Sequence, residues 1–216
     1  MLGVIFTGGE GPPPEFIKRA LKREVSLVIA ADSGLEKAEE AGVRPDFIIG
    51  DMDSLDDLSR LGAYPPEKVI RHPQDKEYSD TELAIFFARE KGCDETWIMG
   101  GGGGRLDHLL SLYCLFERDF YPRRWMTEAC DVWCMEAGRA CYCLDLSAGS
   151  GSLVSVFPLG NGPWKALSTG LKWPLDAVEW KRGLFGLSNV ALAENFSITA
   201  EDGRFLVITQ LPANEK

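Results

Sequence analysis

Short apolar runs alternate with amphipathic segments along the first half of the chain. Residues 4–6 (Val-Ile-Phe) read as a strand, followed by a Gly/Pro loop over 8–14 and a helix over 15–22. A second apolar run, 26–31, stops at Asp32, and a helix over 35–41 stops at Gly42, a usual helix-ending residue. Residues 47–49 form a third strand closed by Gly50-Asp51, and Val69-Ile70 a short fourth. Ser79 or Asp80 is placed to cap a helix over 81–91. Trp97-Ile98-Met99 is a further strand, followed by five glycines and a helix over 106–116. Brief apolar strands with helices between them predict a parallel sheet covered on both faces.

Beyond residue 131 the period changes. Residues 132–136, 140–144, 153–158, 191–198 and 205–209 alternate like strands, and Gly149-Ser150-Gly151-Ser152, Gly160-Asn161-Gly162-Pro163 and Asp202-Gly203 supply turns. The expected fold class is therefore α/β: an N-terminal parallel-sheet, Rossmann-like three-layer domain over 1–125, then a C-terminal all-β sandwich over 131–216, with a boundary in 122–131.

Composition narrows the function classes. The 216 residues are 45% hydrophobic and 26% charged, which suits a globular chain and not a disordered one. The apolar runs are far short of the roughly 20 residues that a membrane helix needs. The first residues carry no basic leader, so no signal peptide is expected and a cytoplasmic location is. With 23 basic against 33 acidic side chains, the formal charge of −10 repels nucleic-acid backbones. Neither nucleic acid nor membrane is an expected partner.

Six cysteines invite a zinc reading, since Cys130, Cys134, Cys141 and Cys143 fall within fourteen residues. Their spacing does not match the paired hooks of structural zinc sites. Cys141 and Cys143 would point to one face of a strand. Buried free thiols are the expectation.

Parallel α/β sheets place their sites at the carboxyl ends of strands. Asp32 closes the second strand, Asp51 and Asp53 follow the third in Gly50-Asp51-Met52-Asp53-Ser54, and Asp80 follows the fourth. If 51–54 stays extended, Asp51 and Asp53 point the same way. Carboxylates held together repel unless a cation compensates them, and Mg²⁺ is the hard cation that takes such oxygens while keeping water and phosphate. After the fifth strand, Met99 leads into Gly100-Gly101-Gly102-Gly103-Gly104-Arg105-Leu106-Asp107-His108. A glycine run between strand and helix lets backbone approach a ligand and offers N–H groups to an anion. It is no Walker loop, because Arg105 stands where a lysine is required. The guanidinium suits phosphate oxygens. His108 reads as a positioning residue or a base, and His72, before Pro73, carries no assignment.

Together these residues resemble the thiamine pyrophosphokinase family. The matching blocks are Ala31-Asp32-Ser33-Gly34, Pro45-Asp46 through Ser54, Lys76-Glu77-Tyr78-Ser79-Asp80-Thr81-Glu82-Leu83-Ala84 and Gly103 to His108. Further on come Thr169-Gly170-Leu171-Lys172-Trp173-Pro174-Leu175 and Gly186-Leu187-Ser188-Asn189. The resemblance implies a diphosphotransferase that moves the terminal diphosphate of ATP to the hydroxyl of thiamine and releases AMP. It implies a homodimer with active sites between subunits. It implies that Asp51, Asp53 and Asp80 hold Mg²⁺ with Asp32 close by. Lys76, Ser79, Gly104, Arg105, Asp107 and His108 would bind the nucleotide, and Trp173, Ser188 and Asn189 the thiamine. Asp80 or Asp53 could take the hydroxyl proton. The family usually has Glu after the Ser-Asn pair, where this chain has Val190.

Two other readings share parts of this pattern. A diphosphokinase for another heterocyclic alcohol, such as a hydroxymethylpterin, would keep the aspartates, but the 169–175 and 188–189 blocks favour thiamine. A non-catalytic nucleotide or thiamine sensor has no need of a full carboxylate set.

Overall fold

The computed structural model describes residues 1–139, 143–147 and 149–211. They divide into two compact units, Met1–Glu128 and Ala129–Lys216.

In the first unit, β1 (Leu2–Phe6), α1 (Pro14–Ala20), β2 (Leu27–Ala31), α2 (Gly34–Glu40), β3 (Phe47–Gly50), β4 (Val69–Arg71), α3 (Asp80–Glu90), β5 (Glu95–Met99), α4 (Leu106–Leu115) and β6 (Arg124–Met126) follow one another. The six strands are parallel, in the order β6-β5-β1-β2-β3-β4. Every residue of β1 is buried, and Ile5, Ile29, Ile48 and Ile98 are wholly inaccessible. Burial on both faces explains why the strands read as continuous apolar runs rather than alternating ones. The chain builds outward from β1 to β4, then crosses back to lay β5 against the other side of β1. That reversal opens a crevice at the carboxyl ends of β1 and β5.

Two local features depart from the sequence expectation, and a third, the Ser79 cap, meets it. Residues 124–126, expected as part of a boundary segment, form β6 beside β5, where the Trp125 indole N–H also donates to the Gly100 carbonyl at 2.8 Å. Two 3₁₀ turns, Leu58–Ala63 and Pro66–Lys68, lie between β3 and β4. α3 begins with a reciprocal capping box: the Glu82 amide donates to Ser79 Oγ at 3.3 Å, and the Ser79 amide to Glu82 Oε2 at 2.8 Å.

The second unit is antiparallel. Its strands are β7 (Cys130–Glu136), β8 (Cys143–Ser147), β9 (Leu153–Leu159), β10 (Lys165–Thr169), β11 (Gly186–Val190), β12 (Asn195–Asp202) and β13 (Arg204–Gln210). One ladder runs β11-β9-β13-β7 and a second β10-β12-β8. Alternate residues of both ladders, among them Val154, Val156, Ala166, Ile198 and Val207, share one apolar core. The Trp180 ring meets Phe205 edge-on at 5.2 Å.

The expected strand over 191–198 begins only at Asn195. Residues 186–190 instead make the separate edge strand β11, which the sequence reading missed together with β10. β11 is hard to see because its pairing with β9 is irregular and Ser188 sits at φ 58°, so no alternating pattern survives. Of the expected strand over 140–144, residues 140–142 lie outside the described residues. So does Cys141 of the cysteine cluster; Cys93 and Cys134 are buried, as expected, whereas Cys130 is half-buried and Cys114 exposed. Among the described residues no helix is long and apolar enough to cross a membrane.

Candidate active site

A cleft of about 260 Å³ opens at the carboxyl ends of the parallel strands. Thr7, Gly8 and Gly9 line it from the end of β1, Asp32 and Ser33 from β2, Asp53 and Ser54 from β3, and Gly101 from β5. Ser79, Asp80 and Thr81 line it at the start of α3, and His108, Ser111 and Leu112 on α4. The Thr7 and Thr81 hydroxyls lie 2.7 Å apart, tying the end of β1 to the start of α3. Sequence reasoning missed both threonines; the signal was Thr7-Gly8-Gly9 standing at a strand end, as the aspartates do.

Asp32, Asp51 and Asp80 each offer a carboxylate oxygen within 4.8 Å of the others. Asp53, expected among the metal ligands, is not part of this group; Asp32 is. The cause is Met52, whose side chain is buried with Ala30, Leu35 and Ile48. Met52 reaches that core at φ 67°, so 51–54 is not extended, and Asp53 lines the cleft without joining the group. Asp53 accepts from Gln74 Nε2 at 2.9 Å and from Ser54 Oγ at 3.0 Å, while its amide donates to Asp51 Oδ1 at 3.2 Å. The last bond is an Asx-type turn.

Gly50 makes the convergence possible. It sits at φ 153°, and a Cβ there would lie 3.1 Å from Asp80 Oδ1 and 3.2 Å from the Asp32 Cβ. Asp32 is itself held at φ 49° and is 8% exposed, with Oδ1 buried and without a hydrogen-bond partner. Burial raises the Asp32 pKa, and the charges of Asp80, Asp51 and Asp53 push the same way against a Ser54 hydroxyl bond. Burial also raises Asp80, with Lys76 opposing and Asp51 adding. Asp51 is lowered, chiefly by its hydrogen bond from Lys76. That ammonium lies 2.6 Å from Asp51 Oδ2 and 3.1 Å from Asp80 Oδ1, and the side chain is only 13% exposed. Burial alone would lower the Lys76 pKa, but its two carboxylate partners raise it. A convergent all-oxygen set with a buried unpartnered carboxylate and room left by glycine fits a hard divalent cation such as Mg²⁺.

The glycine run is used differently from the expectation. The Gly100 amide donates to the Met126 carbonyl at 2.9 Å, Gly101 to Gly8 at 2.7 Å and Gly102 to Glu10 at 2.8 Å. These amides bind the fold together and are not turned to an anion. Close approach explains the glycine at 102, where a Cβ would fall 2.7 Å from the Glu10 carbonyl oxygen and on the Glu128 carboxylate. Gly104 is exposed at the end of the run. Arg105 and Asp107 form a bidentate pair on the surface, with bonds of 3.1 and 2.5 Å, and the guanidinium holds the Asp107 carboxyl at about 2. Ser79 is occupied as the cap of α3, although it also faces the cleft.

In the second unit, Asn189 is buried and Ser188 exposed. Asn189 Nδ2 donates to the Trp173 carbonyl at 2.6 Å, and its Oδ1 accepts from the Trp173 amide at 3.1 Å and the Val190 amide at 2.8 Å. Asn189 is thus a bracket for the Trp173 backbone. The Trp173 indole is 53% exposed and carries the Lys172 ammonium 4.6 Å above its ring.

Residues 18–120 match the family profile described as thiamin pyrophosphokinase, catalytic domain. The chain is 24% identical over 171 residues to thiamine pyrophosphokinase 1 of Oryza sativa subsp. japonica, covering 73% of this chain and 63% of the relative. It is 33% identical over 88 residues to the thiamine pyrophosphokinase of Bacillus subtilis, covering 40% and 41%. The match therefore spans less than two thirds of either curated relative. The thiamin pyrophosphokinase crystal structure from Geobacillus thermodenitrificans superposes over 99% of both chains, with a TM-score of 0.74 and 25% identity. Over residues 18–120 the chain is similar to the thiamin pyrophosphokinase catalytic domain. The catalytic-domain match contains all three converging aspartates and Lys76 but begins after Thr7. The Bacillus subtilis family structure superposes over 99% of this chain with a TM-score of 0.76 and 23% identity, sharing the fold.

Proposed function

We propose that the protein transfers the terminal diphosphate of ATP to the hydroxyl of thiamine, giving thiamine diphosphate and AMP. The observation that carries this reading is the convergence of Asp32, Asp51 and Asp80 at the strand ends of a thiamin pyrophosphokinase catalytic domain. Diphosphoryl transfer asks an enzyme mainly to position its reactants and to offset phosphate charge. Asp32, Asp51 and Asp80 would hold Mg²⁺. When bound, the cation supplies positive charge to the phosphate oxygens being transferred. Lys76 and Arg105 carry further positive charge for the triphosphate, and Asp107 holds the Arg105 fork in place. The hydroxyl proton passes to a carboxylate lining the cleft, Asp80 or Asp53. Trp173 provides an exposed ring for an aromatic cation, fixed by Asn189.

The first unit serves as a three-layer nucleotide domain and the second as a β-sandwich for the acceptor, in a cytoplasmic homodimer. Exposed Leu106 and Leu110 on α4, and Leu184, Phe185 and Leu187 near β11, offer apolar surface for such an assembly.

Acceptor competition tests the reading. Purified protein receives ATP, Mg²⁺ and equal amounts of thiamine and a hydroxymethylpterin, and the products are separated by chromatography. Conversion of thiamine alone is expected. Conversion of the pterin alone, or of neither, would overturn it.

A further inference from the structure

The strongest unexplained feature of the carboxylate cluster is that it already contains a cation. The Lys76 ammonium lies 2.6 Å from Asp51 Oδ2 and 3.1 Å from Asp80 Oδ1, with its side chain 13% exposed. A divalent ion bound to the same two carboxylates sits roughly 2.0–2.6 Å from their oxygens, so the two positive centres claim one place.

We propose that Lys76 is a built-in counter-ion of this cluster, which must leave the Asp51–Asp80 edge when a divalent cation seats there. The inference rests on the reading of Asp32, Asp51 and Asp80 as a cation site, and it concerns how that site is kept and filled. Asp32 Oδ1 and Asp80 Oδ1 are both buried without a hydrogen bond, but Asp80 Oδ1 has the Lys76 ammonium 3.1 Å away, so Lys76 neutralises one edge of the triangle and leaves the Asp32 corner unmet. Lys76 is free to leave without breaking an element, because it stands in the segment between β4 and α3. Its four-carbon stem swings the charge, but the charge needs another partner once it has moved. Metal alone offers none. Metal arriving with a polyphosphate offers phosphate oxygens to the displaced ammonium. Metal entry and nucleotide binding are thereby coupled, each raising the affinity of the other by the same factor. Lys76 also spares the unloaded cluster the mutual repulsion of three carboxylates.

Mn²⁺ titration without nucleotide or thiamine, read by electron paramagnetic resonance of the free ion, tests this on the native chain, Lys76→Met and Lys76→Arg. Lys76→Met should bind Mn²⁺ about tenfold or more tightly than the native protein, as expected when a close like charge is removed. Lys76→Arg, which keeps the charge, should remain weak. In the absence of metal Lys76→Met should melt below the native protein, and Mn²⁺ should restore it. Equal or weaker Mn²⁺ binding by Lys76→Met would overturn the inference while leaving the cation site intact. No saturable binding by any of the three would overturn the cation site itself, and the inference with it. Should Lys76→Met not fold, the lysine ammonium signals of the native protein provide the second reading. Mg²⁺ alone should move the signal absent from the Lys76→Arg spectrum, and a signal unmoved at saturating Mg²⁺ would contradict the displacement.

Discussion

Asn189 grips the Trp173 backbone from both sides, donating to its carbonyl at 2.6 Å and accepting from its amide at 3.1 Å. The Asn in the Ser188-Asn189 pair therefore acts through another residue. Asn189→Ala should cost about 1–3 kcal/mol of stability, the scale of losing buried hydrogen bonds. It should raise the KM for thiamine several-fold more than that for ATP. Initial-rate kinetics with each substrate varied checks this, and Asn189→Asp, which keeps the Oδ1 acceptor, should lie between.

Asp51 and Asp53, two residues apart, should respond unequally. Asp51→Asn removes one corner of the converging group and should abolish turnover and metal binding while the chain stays folded. Asp53→Asn changes a residue bonded to Gln74 and Ser54, so it should keep Mn²⁺ binding within a few-fold of native. Loss of binding in both variants would show that Asp53 ligates as well.

Asp32 should stabilise the metal-free protein when its charge is removed. Its pKa is raised by burial, so its favourable contribution is complete below the ordinary value of 3.8 and is lost as pH rises through the higher folded-state value. Asn adopts positive φ readily, so Asp32→Asn keeps the φ 49° backbone. At pH 7 and without metal, this variant should melt above native. The gain should shrink as pH falls toward 4, as scanning calorimetry across pH would show. The same variant should be inactive.

Gly50→Ala should be severely damaging to the site. A Cβ there meets Asp80 and Asp32 at 3.1–3.2 Å and strains a φ of 153°. Mn²⁺ affinity should fall at least about tenfold even where circular dichroism shows a folded chain.

The α/β rhythm was legible because strands buried on both faces leave unbroken apolar runs such as 4–6 and 47–49. Asp32 and Asp51 were legible because each stands at a strand end, and Asp80 because it opens a helix. What the chain pattern could not show was direction. Asp53 lines the cleft but stays outside the converging group, because Met52 at φ 67° enters the core and breaks the expected extended segment. Lys76 pairs with Asp80 four positions on and with Asp51 25 positions back, and nothing local announces the second contact. Ser79-Thr81-Glu82 did carry a visible capping pattern, and the structure uses Ser79 for that. β11 was missed because its irregular pairing leaves no alternation to read.

The proposed reaction moves two phosphoryl groups as one unit to thiamine. Phosphorus-31 NMR of the protein with ATP, Mg²⁺ and thiamine follows both products at once. AMP and thiamine diphosphate are expected in equal amounts, with neither forming in Asp51→Asn. ADP with thiamine monophosphate, or ATP left intact by folded protein, would contradict it.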